Sequence, residues 1–183
     1  MSLYKSNLIA IGGSLRFDSY TYQILKIALQ QLEKKEIKST LLDLRQMKLP
    51  FCTGEQEYLS YPDVETFRQQ VKSAQGILLA TPEYHGSVSG VLKNALDLLD
   101  EEHCRGKVVG LIAVAGGVHS TNAINTLRII CRHLHCWVLP EQLVIAQAQQ
   151  SFDAEGNLID PALRERLDQL LDHLIEAMQR LGL

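Results

Sequence analysis

Between residues 9 and 21 the chain gathers Gly12, Gly13, Ser14, Arg16, Ser19 and Thr21. The two glycines let the backbone turn sharply and bring its N–H groups close to a ligand. A helix that starts just beyond them offers unpaired N–H groups and a partial positive charge, which favour an anion. The hydroxyls donate single hydrogen bonds, and the Arg16 guanidinium can donate two parallel bonds to one phosphate. This set suits a phosphomonoester. It is not the dinucleotide fingerprint, which needs three spaced glycines, nor the nucleoside-triphosphate loop, which ends in Gly-Lys-Ser/Thr. Asp18 would repel a dianion, so it is expected to point away or to cap the helix through the N–H of Tyr20 or Thr21.

A second stretch, 81–87, reads Thr-Pro-Glu-Tyr-His-Gly-Ser. Pro82 stiffens it, Tyr84 offers an aromatic face, and Gly86 allows close approach to a flat ligand. Backbone groups held at fixed height match the alternating donors and acceptors of a planar heterocycle. A third stretch, 115–119, begins Ala115-Gly116-Gly117 and continues with Val118 and His119.

What places these stretches is an alternation of apolar strands and amphipathic helices. Continuous apolar runs at 8–11, 76–80 and 107–114 predict strands covered on both faces. The more polar 39–44 predicts a strand near an edge, and 137–146 holds a fifth. Helices are predicted from about residue 20, over 62–73, 88–99 and 120–134, and from Pro161 onward. Five strands alternating with five helices indicate a doubly wound parallel sheet, the whole chain of 183 residues forming one domain. In such folds ligands sit beyond the carboxyl ends of the strands, where the strand order reverses. All three stretches leave such ends. The irregular 45–60 connection carries Phe51 and Cys52, with Phe51 expected to anchor it.

Composition narrows the classes. A net charge of −3 gives no electrostatic footprint for nucleic acid or an anionic membrane. No apolar run reaches the length of a membrane span, and the first residues carry no basic-then-apolar leader. The four cysteines form no CxxC pair, consistent with reduced thiols in a cytoplasm.

Gly-Ser-Leu-Arg-x-x-Ser near the N-terminus, followed in mid-chain by Pro-Glu-Tyr-His-Gly-Ser-x-Ser-Gly-x-Leu-Lys-Asn-Ala-Leu-Asp, resembles the NADPH-dependent FMN reductase family. That family is flavodoxin-like and includes azo-dye, quinone and chromate reductases. The resemblance implies a three-layer α/β sandwich with a five-stranded parallel sheet of order 2-1-3-4-5. It implies bound FMN, with NADPH or NADH as donor and a small-molecule acceptor. It assigns the phosphate to Ser14, Arg16, Ser19 and the neighbouring Tyr20 and Thr21. It assigns the ring and ribityl chain to Pro82, Glu83, Tyr84, His85 and Gly86, and the ring's other edge to Ala115, Gly116 and Gly117. Thr21 stands where many relatives carry Asn. Because a flavin carries the redox chemistry, no side chain is singled out as catalytic.

Two features lie outside those motifs. Cys131 and His135 are one helical turn apart, which is ligand spacing, but the helix is predicted to end there, so no metal is expected. The 88–99 helix carries Val88, Val91, Leu92, Ala95, Leu96, Leu98 and Leu99, more than one packed stripe needs. That surplus predicts a homodimer, or a tetramer built from it, through this helix. On the last helix, Arg164 and Asp168 are spaced for an ion pair.

Overall fold

The computed structural model describes residues 7–118 and 121–182. Strands β1 (Asn7–Gly12), β2 (Lys38–Leu42), β3 (Gly76–Tyr84), β5 (Val108–Val114) and β6 (Trp137–Ile145) form a parallel sheet in the order β2-β1-β3-β5-β6. A two-residue strand, β4 (Ser87–Val88), pairs antiparallel with the end of β3. Counted without β4, the parallel strands run 2-1-3-4-5, the order expected from the sequence.

The central strands earn their place by being apolar on both faces. Along β1, Leu8 and Ala10 point to one core, Ile9 and Ile11 to the other. The first core is closed by α1 (Tyr20–Lys34) and α7 (Pro161–Arg180), through residues such as Leu25, Ala28, Leu170 and Leu174. The second is closed by α2 (Pro62–Ser73), α3 (Gly90–Asp97) and α5 (Asn122–His133), through Phe67, Leu92, Leu96 and Leu127. The result is three layers. Short helices α4 (Glu101–Cys104) and α6 (Ala148–Ser151) sit in the connections. The sheet's direction of growth reverses between β1 and β3, so their carboxyl ends diverge there.

Several local expectations change. The third strand runs past residue 80 to Tyr84, so the second chemical stretch is the tip of a β-hairpin rather than a free loop. Its turn residues have positive φ, 51° at His85 and 75° at Gly86, the type I′ geometry that matches the twist of the flanking strands. Val88 therefore belongs to a strand, Ser89 caps the next helix by accepting from the Leu92 N–H at 3.2 Å, and α3 starts at Gly90. Phe51 is 86% exposed and anchors nothing. Instead the 45–60 segment is held to α3 by Asn94, whose side chain accepts from the Cys52 N–H and donates to the Pro50 carbonyl, both at 2.9 Å.

That attachment bears on the apolar surplus of the 88–99 stretch. Leu92, Ala95, Leu96, Leu98 and Leu99 are all buried within the chain, so their number calls for no partner. Arg164 does not pair with Asp168. It turns back to donate to the carbonyls of Leu158 and Ile159 at 2.6 and 2.7 Å, closing the entry to α7. No helix among the described residues is long and apolar enough to cross a membrane.

Candidate functional site

At the switch point a cleft of about 280 Å³ opens beyond the carboxyl ends of β1, β3 and β5. It is lined by Ser14, Arg16, Ser19, Tyr20 and Thr21 from the first stretch. Pro82, Glu83 and Tyr84 come from the hairpin, and Ala115 and Gly116 from the third stretch. Three stretches distant in sequence thus meet on one wall-to-wall surface. Three expected residues stand apart: His85 and Gly86 form the hairpin tip, and Gly117 lies further along its loop, none of them lining the cleft. His119 lies outside the described residues.

The end of the cleft formed by the first stretch is built by close packing. A Cβ on Gly13 would lie 2.7 Å from both Leu92 Cβ and Ser89 Oγ, so glycine lets the chain pass tightly over α3. The Gly13 N–H donates to the Ala80 carbonyl at 2.8 Å, tying the loop's start to β3. Ser14, Ser19 and Thr21 are buried hydroxyls at the cleft, whereas Arg16 is exposed. Ser19, not Asp18, is the N-cap of α1: its Oγ accepts from the Tyr22 N–H at 3.4 Å. A hydroxyl that accepts there keeps its own proton to donate. The first turn of α1 carries no acidic side chain. Asp18 lines the cleft rather than pointing away from it.

Behind this loop stands a polar cluster. The Tyr22 hydroxyl donates to the Gly12 carbonyl at 3.0 Å and accepts from the Leu44 N–H at 3.2 Å. Burial, reinforced by the nearby Asp43 carboxylate, raises the Tyr22 hydroxyl far above its ordinary value, so it stays protonated. Arg45 lies over its ring with Cζ 3.8 Å from the centroid. Hydrogen bonds from Arg45 hold the Asp43 carboxyl below its usual range.

The end formed by the hairpin and the third stretch is latched on both sides. Glu83 accepts from the Ala123 N–H at 3.0 Å, capping α5, whose own N-cap residue Thr121 makes no side-chain bond. On the other side, the Ala148 N–H donates to the Ala115 carbonyl at 2.9 Å and the Gln149 side chain to the Gly116 carbonyl at 3.3 Å. Val114, Ala148 and Gln149 also line the cleft and were not picked out from the sequence. Residues 146–151, Ala-Gln-Ala-Gln-Gln-Ser, carry no motif. Their position after the last parallel strand was the one available signal.

Away from the cleft, Cys131 is on the buried face of α5, while His135 adopts a positive φ of 59° and places Nε2 2.9 Å from a Glu101 carboxylate oxygen. The two do not face a common point.

The strand order, the three converging loops and the small-residue turn after β1 define a flavodoxin-like fold with a cleft at its switch point. The profile described as NADPH-dependent FMN reductase matches residues 6–150, and the chain belongs to that family. It is 34% identical to an NAD(P)H-dependent FMN reductase of Pseudomonas aeruginosa, over 95% of this chain and 96% of that one. It is 30% identical to an FMN-dependent NADPH-azoreductase of Staphylococcus haemolyticus, over 91% and 92%. In fold it is similar to an NAD(P)H:acceptor oxidoreductase flavoenzyme of Paracoccus denitrificans, with a TM-score of 0.80 at 23% identity, covering 96% of this chain and 98% of the other. The protein is thus an oxidoreductase whose cofactors are FMN and NAD(P)H.

Proposed function

We propose that the cleft binds FMN and that the enzyme reduces a quinone, an azo compound, a free flavin or a similar small acceptor at the expense of NAD(P)H. The observation that carries this reading is the meeting of the first, second and third stretches at the strand-order reversal. The residues present fit the cofactor. Buried hydroxyls, an arginine and a helix N-terminus suit its phosphate, outweighing the Asp18 carboxylate in the same lining, and two latched backbone edges suit its ring. Bound there, FMN supplies the redox step, taking a hydride from the nicotinamide and handing it to the acceptor.

The chain's own part is placement. Ser14, Ser19 and Thr21 donate to the phosphate, and Arg16 closes over it from the exposed side. Pro82, Glu83 and Tyr84 hold one edge of the ring through the hairpin backbone, and Ala115 and Gly116 hold the other. Donor and acceptor reach the same opening, so they bind in succession and the kinetics are ping-pong. Parallel double-reciprocal lines with NADPH and a quinone are expected. Intersecting lines would require a second binding site and overturn the shared opening. Steady-state NADPH oxidation with a quinone also separates an enzyme from a carrier that only docks onto redox partners.

The phosphate assignment is tested by Arg16→Ala. It should weaken FMN binding by about 1.5–3 kcal/mol, roughly 10–150-fold, and leave riboflavin affinity unchanged. A loss under threefold would place Arg16 in solvent instead.

The 183 residues work as one domain in the cytoplasm, in keeping with their four free cysteines. They assemble as a homodimer, with a tetramer as the further step. Since the buried apolar residues of α3 are already covered, the pairing along this helix is carried by Phe51, which stands exposed on the segment held against it through Asn94. Light scattering giving a mass near 20.5 kDa would end this reading. Phe51→Glu should give folded monomers.

A further inference from the structure

The loop on which FMN recognition depends is thinly tied to the rest of the chain. Residues 15–18 are all exposed, Phe17 at 92%. Inside the loop, the Arg16 N–H donates to Ser14 Oγ at 3.3 Å. Among the described residues, one hydrogen bond reaches residues 15–18 from a distant part of the chain: Arg45 Nη1 donates to the Phe17 carbonyl at 3.4 Å.

Arg45 is unusually well fixed for a side chain outside any motif. Its Nε and Nη2 grip the two oxygens of Asp43 at 2.8 and 2.6 Å, a fork against a carboxylate. Its flat face rests on the Tyr22 ring. Tyr22 in turn is 2% exposed and locked by bonds to Gly12 and Leu44. Gripped at the edge and at the face, the guanidinium leaves Nη1 to reach the loop. Asp43 neutralises it at close range, so its contribution is geometric more than electrostatic. Lysine could not fork, stack and reach at once.

We propose that Arg45 is a positioning residue for the phosphate loop, fixing the Phe17 carbonyl so that Arg16 and Ser14 are set toward the cleft before ligand arrives, and thereby raising the preference for FMN over riboflavin. The proposal rests on the assignment of the FMN phosphate to this loop. A loop released from Arg45 must be ordered by the ligand, and that ordering cost is taken from the affinity. Riboflavin, lacking the phosphate, does not use the loop and does not feel the change.

The test is flavin titration of flavin-stripped full-length protein, following fluorescence quenching with FMN and with riboflavin. The variants are Arg45→Ala, Arg45→Lys, Arg16→Ala and the Arg16→Ala/Arg45→Ala double. Arg45→Ala and Arg45→Lys should each weaken FMN about tenfold and leave riboflavin within about twofold. The double variant should lose less than the product of the two single losses, because Arg45 acts through the arrangement that presents Arg16. Should Arg45→Ala fail to fold, Arg45→Lys carries the same comparison.

Equal losses for both flavins would make Arg45 a support of the fold alone and overturn the proposal. So would unchanged FMN binding. Multiplying losses, or full rescue by lysine, would make Arg45 a second cation acting on the phosphate directly. If Arg16→Ala leaves the FMN preference intact, the phosphate assignment itself fails and this inference falls with it. If Arg16→Ala abolishes the preference while Arg45→Ala does not, only the role of Arg45 is lost.

Discussion

The loop after β1 and the hairpin after β3 leave neighbouring strands and reach the same cleft, yet they are secured in opposite ways. Residues 15–18 are exposed and meet the rest of the chain through the Arg45 side chain. The hairpin is laced at every level. Thr81 Oγ1 donates to the Pro82 carbonyl at 2.8 Å and accepts from the Ser89 N–H at 3.2 Å, Ser89 caps α3, and Glu83 caps α5. The difference follows the chemistry each must meet. On the proposed assignment, a phosphate brings charge of its own to a loop held at few points, whereas a neutral flat ring needs edges in place along its length. The loop after β1 is the lightly held half and the hairpin the rigid half.

The largest effect should come from the most tightly packed point of the loop after β1. Gly13→Ala would push a methyl group to 2.7 Å from Leu92 Cβ and Ser89 Oγ, atoms close to the backbone of the α3 entry and unable to swing away. A cost of about 2–3 kcal/mol is expected, read as a lower urea midpoint, together with loss of FMN binding. Gly117→Ala is the control: an added Cβ there meets nothing within 4 Å, and stability should change by less than about 0.5 kcal/mol. Equal effects at the two positions would mean that the start of the loop after β1 yields as readily as the open loop after β5.

Glu83→Ala tests the rigid half. It leaves the Ala123 N–H and the α5 N-terminus without their carboxylate, worth about 1 kcal/mol, or roughly 2–4 °C in melting temperature. The hairpin should loosen while FMN phosphate recognition stays, so the FMN-to-riboflavin affinity ratio should hold as both affinities fall. A changed ratio would show that the two halves of the cleft are not independent.

How much of this could be read from the chain depends on which physical signal each residue sends. The alternation of apolar runs and amphipathic helices reports burial, and burial is what makes the central strands and both cores legible; the strand order was legible through the family resemblance. The glycine–hydroxyl–arginine stretch reports its own chemistry because small residues and one cation have few other reasons to cluster before a helix. Glu83 as a helix cap, and Arg45 as a tether, send no such signal. Each acts on residues about 30 to 40 positions away, Ala123 and Phe17, and only the assembled fold brings them within reach. The apolar count of the 88–99 stretch is incomplete for a related reason. It measures how much surface a helix must hide, but not that the 45–60 segment folds back on it through Asn94.

The Asp43–Arg45 pair supplies a smaller effect with a defined pH sign. Hydrogen bonds from Arg45 hold the Asp43 carboxyl below its ordinary value of 3.8. The stability from this shift is present above that value and is lost as pH falls through the lower, folded one. Asp43→Asn should therefore flatten the acid end of the stability profile while reducing stability slightly at neutral pH, followed by thermal melts from neutral pH downward. An unchanged acid limb would mean that the pair is too loosely made to fix Arg45.

The smallest effect belongs to His85, the residue of the hairpin that looks most like chemistry. It stands at the first turn position with a φ of 51°, a left-handed conformation that strains most side chains and that asparagine and glycine adopt readily. It lies outside the cleft lining, at a turn whose geometry is set by Glu83↔Val88 and Tyr84↔Ser87 pairing on either side. Relief of the strain in His85→Asn should stabilise the protein by a few tenths of a kcal/mol, up to about 1. His85→Gly should be nearly neutral, because glycine relieves the same strain but gives the unfolded chain more freedom. Both should bind FMN and turn over NADPH as the parent does. A tenfold drop in turnover without a change in melting temperature would move His85 from the scaffold into the substrate site, and the hairpin tip would then have to reach an acceptor that the cleft described here does not touch.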